Sequence, residues 1–162
     1  MPLPEIRASI REAIDGIEPA YNVSEPFKYH HGTVSHGQSF EDAVATSSMR
    51  LYTVTMQAPP SDSQWSTGGS LDYAVVDLLV RIAYPISNFT SLEELQDTVE
   101  SDTIDVISAI RRFDYGDQVW NTTVGGLDSS EILSPVQGRD GSETVVFVNN
   151  ISIGVEYATG RL

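Results

Sequence analysis

The longest strand-like run of the chain, Leu71 to Tyr84, is followed after one turn by a helical pattern that reaches Phe113. This unit limits what the remainder can fold into. Ala74, Val76, Leu78, Val80, Ile82 and Tyr84 recur at every second position and therefore share one face of a strand. The opposite face carries Tyr73, Val75, Asp77, Leu79 and Arg81, and its two charges argue against equal burial on both sides. Pro85 and Asn88 end the strand. Ser91, with Glu94 three residues on, forms a capping box ahead of Leu92, Leu95 and Val99. Val106, Ile107, Ile110 and Phe113 continue the apolar stripe, and Arg111 and Arg112 complement the negative end of the helix dipole. Ser101 and Asp102 either start a second helical segment or sit on the solvated face of a continuous one. The even-numbered face of the strand is expected to pack under Leu95, Val99, Val106 and Ile110.

The flanking segments fit around that centre. Ile6, Ile10, Ile14 and Ile17 recur at helical spacing, so an amphipathic helix is expected over about 4–15, with Pro4 in its first turn and Gly16 at its exit. Its Ile stripe packs either on its own sheet or on a neighbouring subunit. Pro19 and Pro26 bracket a turn-rich link, and Phe27 to His30 reads as a short first strand. Gly32 to Ser48 is a polar loop with one helical turn at Phe40 to Val44, capped by Ser39. Arg50 to Met56 alternates as a strand, placing Tyr52, Val54 and Met56 toward the core and Thr53 and Thr55 outward. Ser61 to Ser70 is a Ser/Gly-rich loop in which Trp65 either folds back onto the domain or awaits a partner.

After the helix, Gln118 to Val124 and Ile132 to Val136 read as a broken β region around Gly125-Gly126. Arg139 to Ser142 reads as a hairpin turn, and Glu143 to Ala158 as the last strand. Val145, Phe147, Ile151, Ile153, Val155 and Tyr157 lie on one face of that strand. Asn149 interrupts them beside Asn150, which predicts a bulge or bend there. The expected architecture is α+β: a mostly antiparallel sheet of about four to five strands with helices packed on one face, in a single domain over 1–162. Its parts are the N-terminal helix, the 71–113 centre and a C-terminal hairpin over about 118–158.

Charge narrows the function more than any motif does. Twenty-three acids against 9 bases give a net charge of −14. Such a chain repels polyanions, which disfavours a grip on nucleic acid but suits a wall that DNA slides past. The absence of Cys removes disulfides, thiolate metal sites and Cys nucleophiles. Met1 to Glu5 lacks the basic and apolar segments of a signal peptide, so the sequon-like triplets at Asn22, Asn88, Asn121 and Asn150 read as coincidence. No apolar run is long enough to cross a bilayer, and no membrane partner is expected.

Catalytic constellations are weak. His30, His31 and His36 cluster, and with Glu25, Glu41 or Asp42 they offer the ligands of a small metal-dependent hydrolase built on His30 and His36. Adjacent residues of a regular strand point to opposite faces, however, so His30 and His31 do not converge on one ion. Ser35-His36 lacks a nucleophile-elbow pattern, and Gly68-Gly69 and Gly125-Gly126 lack the spacing of phosphate or dinucleotide loops. The paired acids Glu41-Asp42, Glu93-Glu94 and Asp114 with Asp117 read as solvated surface in so acidic a chain. No catalytic residue, cofactor or metal site is expected, and the chain does not read as an enzyme.

The order of elements is helix, short strand, long loop, strand, loop, long strand, helix and closing hairpin. It resembles that of the tail terminator (tail completion, or head-tail joining) proteins of tailed bacteriophages. Arg50-Leu51-Tyr52-Thr53-Val54-Thr55 and Leu78 to Ile82 carry the resemblance for the sheet. Asp105 to Ile110 carries it for the helix, and Ile151 to Tyr157 for the closing strand. The loop from Gly32 to Ser48 is longer than that pattern. The resemblance implies a structural virion protein at the tail-neck junction, synthesised in the host cytoplasm. It implies a ring, usually a hexamer, that caps the tail-tube protein, meets a neck or head-completion protein and lets DNA pass without specific binding. Other neck or tail-tube subunits share parts of the pattern. The residues expected to face a ring lumen or a neighbour are Thr53, Thr55, Asp77, Arg81, Asn150, Ser152 and Glu156, with Trp65 as a further contact.

Overall fold

A computed structural model of the chain describes residues 3–30, 49–63, 72–116, 119–137 and 143–159. The chain is α+β. Helix α1 spans Leu3–Asp15, strands β1 Lys28–Tyr29, β2 Leu51–Met56, β3 Ser61–Asp62 and β4 Tyr73–Pro85, helix α2 Leu92–Arg112, and strands β5 Val119–Gln137 and β6 Glu143–Ala158. A short 3-10 turn, Ile86–Asn88, links β4 to α2. The sheet runs β1-β2-β4-β6-β5, and β3 pairs with β4 beyond the end of β2. Among the described strands β1 and β2 pair in parallel, and the other pairings are antiparallel.

The alternation in β4 has the consequence its pattern dictates. Val76, Leu78, Val80, Ile82 and Tyr84 are buried and join Ile6, Ile10 and Ile14 of α1 and Leu95, Val99, Val106 and Ile110 of α2 in one core. Both helices therefore cover the same face, and α1 packs on its own sheet. Gly16 ends α1 by donating its N–H to the Glu12 carbonyl at 3.1 Å. Each wholly buried Ile or Leu contributes roughly 1.5–3 kcal/mol of burial, so this core dominates the folding energy.

Helix α2 is one continuous helix across Ser101 and Asp102. Asp102 is not solvated: it lies on the core-facing stripe and is fully buried. At the start of the helix the Ser91 hydroxyl accepts the Glu94 N–H at 3.1 Å. The Glu94 carboxylate reaches one residue earlier than a capping box requires, accepting both the N–H and the hydroxyl of Thr90.

Two expectations about the hairpin are corrected. β5 is one long strand, not two pieces, and it absorbs the irregularity as register shifts around Gly125-Gly126 and Ser134-Pro135. Proline cannot donate to a ladder, and glycine tolerates the local twist of a bulge. β6 carries no bulge at Asn149-Asn150; its register against β4 is unbroken from Val146 to Ala158, and the shifts lie across from it in β5. Asn149 stays on the helix-packed face, where it is buried and its Nδ2 donates to Thr103 Oγ1 of α2 at 2.7 Å. A hydrogen bond to the helix explains how an amide interrupts an apolar row without a bend.

Candidate functional site

Pairing decides which side chains share the face that the helices leave uncovered. β4 places Asp77 opposite Gly154, Leu79 opposite Ser152, Arg81 opposite Asn150 and Val75 opposite Glu156. On its other side Arg81 pairs with Thr53 and Leu79 with Thr55. The seven sheet residues singled out from the sequence therefore fall on one contiguous face of three neighbouring strands. Thr55 and Asp77 are exposed, and Thr53, Arg81, Ser152 and Glu156 are half-buried. Ser152 Oγ and Gln57 Oε1 lie 3.3 Å apart across this face, within hydrogen-bonding reach.

Asn150 departs from the expectation, being only 7% exposed. The reason is that this face closes toward the Pro85 end of β4. Leu51, Ala83, Val146 and Val148 share it by register and are all buried. The uncovered face is thus a limited area running from Arg81 down to Val75. Met56 corrects the pattern in the other direction: it lies on the helix side of β2 yet is 44% exposed, at the strand's far end.

Trp65, His31, His36, Glu41 and Asp42, with the expected helical turn at 40–44 and the hairpin turn at 139–142, lie outside the described residues. His30 donates its backbone N–H to the Tyr52 carbonyl, extending the β1–β2 pairing. Among the described residues no group of three His, Cys, Asp or Glu side chains is placed to hold a metal ion.

Sequence reasoning missed a dense buried polar cluster among the described residues. Arg50, just before β2, has a left-handed backbone (φ 66°) and is fully buried with Asp102. Its Nε donates to Asp102 Oδ2 at 2.6 Å and its Nη2 to Oδ1 at 3.0 Å, a two-point pairing. The remaining donors go to backbone: Nη1 to the carbonyls of Asn22 (2.9 Å) and Glu25 (2.7 Å), and Nη2 to that of Tyr21 (2.6 Å). Tyr84 completes the cluster by donating its hydroxyl to Asp102 Oδ2 at 2.8 Å. The Phe27 ring stands 5.6 Å from the guanidinium carbon.

Burial pushes the Asp102 carboxyl upward, against the opposing pull of Arg50 and Tyr84, and burial beside Asp102 drives the Tyr84 phenol well above its ordinary value. A fully satisfied guanidinium with no route to solvent ties β2, α2 and the 18–26 link together; it offers no group to a substrate. One signal for it was present in the sequence. Asp102 sits three residues after Val99 and four before Val106, inside an otherwise apolar stripe.

A second tie joins α1 to the sheet. Tyr52 donates its hydroxyl to Asp15 at 2.7 Å, and burial together with that carboxylate pushes the phenol upward. The Arg11 guanidinium stacks 3.7 Å from the centre of the Tyr29 ring.

Compared with known proteins, the chain matches no family model and no curated protein.

Proposed function

We propose that the protein is a structural subunit of a phage virion, a tail terminator that forms a ring on the end of the tail tube and joins it to the neck or head. The observation that carries this reading is the one-sided sheet. Both helices lie on one face, while the other presents Thr53, Thr55, Asp77, Arg81, Ser152 and Glu156 as a polar, partly exposed surface on three neighbouring strands. Such a face suits a channel wall or a subunit contact. A polar cluster whose donors are all spent on internal partners, as around Arg50, suits a building block better than a catalyst.

The net charge of −14 supports a DNA-conducting role in particular. Each Arg or Lys that meets a phosphate adds salt-sensitive affinity, so an acidic channel passes DNA without holding it. Assembly is the test. Native mass spectrometry and negative-stain images of the purified protein are expected to show closed rings, and added protein is expected to cap tail tubes and stop their growth. A strict monomer up to roughly 100 µM overturns the reading, since contacts of standard size assemble far below that.

A further inference from the structure

The face of α2 that meets the sheet is an apolar stripe broken near its middle by polar groups. Leu95, Val99, Val106 and Ile110 are buried along it, and Thr98 and Asp102 are buried among them. Contacts between aliphatic side chains have no preferred direction, and swaps of similar volume are well tolerated. Such a stripe can therefore pack on the Val, Leu and Ile rows of β4 and β6 in more than one register. A shift of α2 by one turn, about 5.4 Å, brings Val106 to the place of Asp102 and exchanges one aliphatic neighbour for another elsewhere.

The polar groups do have direction. Asp102 meets Arg50 and Tyr84, and Arg50 is itself held by three carbonyls of the 18–26 link. Thr98, one turn earlier, accepts from Asn22 Nδ2 at 3.4 Å. Thr103, beside Asp102, accepts from Asn149 Nδ2 at 2.7 Å and donates to the Val99 carbonyl at 2.7 Å. From a short stretch of one helix, ties thus run to the link, to the start of β2, to β4 and to β6. A one-turn shift breaks them together and leaves Asp102 and Arg50 buried without each other.

These groups are poor choices for stability alone. A buried ion pair is often no better than well-packed aliphatic side chains of the same volume. Asn149 is fully buried, yet its Oδ1 has no hydrogen-bond partner among the described residues. The desolvation of that amide is only half offset, so it weakens the fold relative to an aliphatic residue. What it supplies is position.

We propose that Thr98, Asp102 and Thr103 form, with their partners, a registry lock that selects one placement of α2 and the 18–26 link on the sheet, at a cost in stability. The lock is independent of the ring reading and holds for any oligomeric state of the chain.

The experiment compares two double variants with a control. Arg50→Met/Asp102→Leu replaces the charged tie, Thr103→Val/Asn149→Leu the amide tie, and Val106→Ala weakens the same stripe without touching a polar group. Both double variants are expected to unfold cooperatively, the second with a melting temperature at or above that of the wild type. Both are expected to give extra or broadened amide resonances in α2, and the first in the 18–26 link as well. Amide exchange in those segments is expected to quicken about tenfold or more relative to β4 and β6. Val106→Ala is expected to melt lower while keeping a single sharp set of resonances. A single sharp set with wild-type exchange in the double variants overturns the lock. So does equal heterogeneity in Val106→Ala, which would mark general weakening. Loss of cooperative unfolding in the first variant, or a lower melting temperature in the second, also overturns it, because the polar groups would then serve stability itself.

Discussion

At the scale of single residues, Arg50 ties distant segments of the chain together. Its five N–H donors are all used, three of the acceptors being backbone carbonyls and two the oxygens of Asp102. Removing one partner leaves the other charge buried and unpaired, which costs about 3–5 kcal/mol. Asp102→Asn is therefore expected to lower the unfolding free energy, read from urea denaturation, by that amount. An Arg50→Met/Asp102→Leu double variant should lose clearly less than the two single changes combined. Additive losses in that cycle would mean the pair is not coupled as its geometry requires.

Tyr84 gives a prediction with a sign. Its phenol, raised far above the ordinary value of 10.0 by burial and by Asp102, stays protonated in the folded protein while the unfolded tyrosine ionises near its ordinary value. The folded state thus binds the extra proton, its stabilising contribution is complete below that value, and stability falls as pH rises above it. Tyr84→Phe removes one such group. The variant should be less stable at neutral pH, for want of the bond to Asp102, and its deficit should shrink by about 1.4 kcal/mol per pH unit above pH 10. Parallel stability profiles for the two proteins would contradict the buried placement of this hydroxyl.

At the scale of elements, helix α2 shows how local chemistry and packing divide the work. The Ser91 hydroxyl caps the Glu94 N–H, and Ser91→Ala is expected to cost about 1 kcal/mol by chemical denaturation. The Glu94 carboxyl is held below its ordinary value by its bonds to Thr90, so its contribution is present above the unfolded pKa and is lost as pH falls through the folded one. The stability gap between wild type and Glu94→Ala should accordingly close in acid.

The cap, the stripe and the alternating strand were all legible in the residues, because each is set by neighbours at short, fixed spacing. Asp102 was not. Its place in the stripe marked it as unusual, but its partner Arg50 lies 52 residues away, and no local pattern reports such a pairing. One irregular site was misplaced for a related reason. The break expected around Gly125-Gly126 coincides with a register shift, but the one expected at Asn149-Asn150 does not occur in β6; the shifts fall in β5, and register is a property of two strands.

At the scale of the whole molecule, a net charge of −14 on 162 residues acts against compactness through self-repulsion. Added salt, from about 10 to about 200 mM, is expected to raise the melting temperature of the protein, since screening relieves exposed charges while the buried Arg50–Asp102 pair is barely affected. A melting temperature that falls with salt would show that attractive surface pairs outweigh the repulsion.

The residues in their order specify the helices α1 and α2 and the strands β2, β4 and β6, which face of β4 and α2 turns inward, and that the mixed face of β4 carries Asp77 and Arg81; the strand β3 at Ser61–Asp62, read as loop, and the continuity of β5 came only from pairing. These follow from periodicity, which is local. The folded chain adds what periodicity cannot carry. It closes the mixed face at its Pro85 end, burying Asn150 among Leu51, Ala83, Val146 and Val148, and it brings Arg50, Tyr84, Asp102 and three carbonyls of the 18–26 link to one point. Those outcomes depend on contacts between distant segments, where the desolvation of a charge is offset only by partners that the tertiary arrangement supplies.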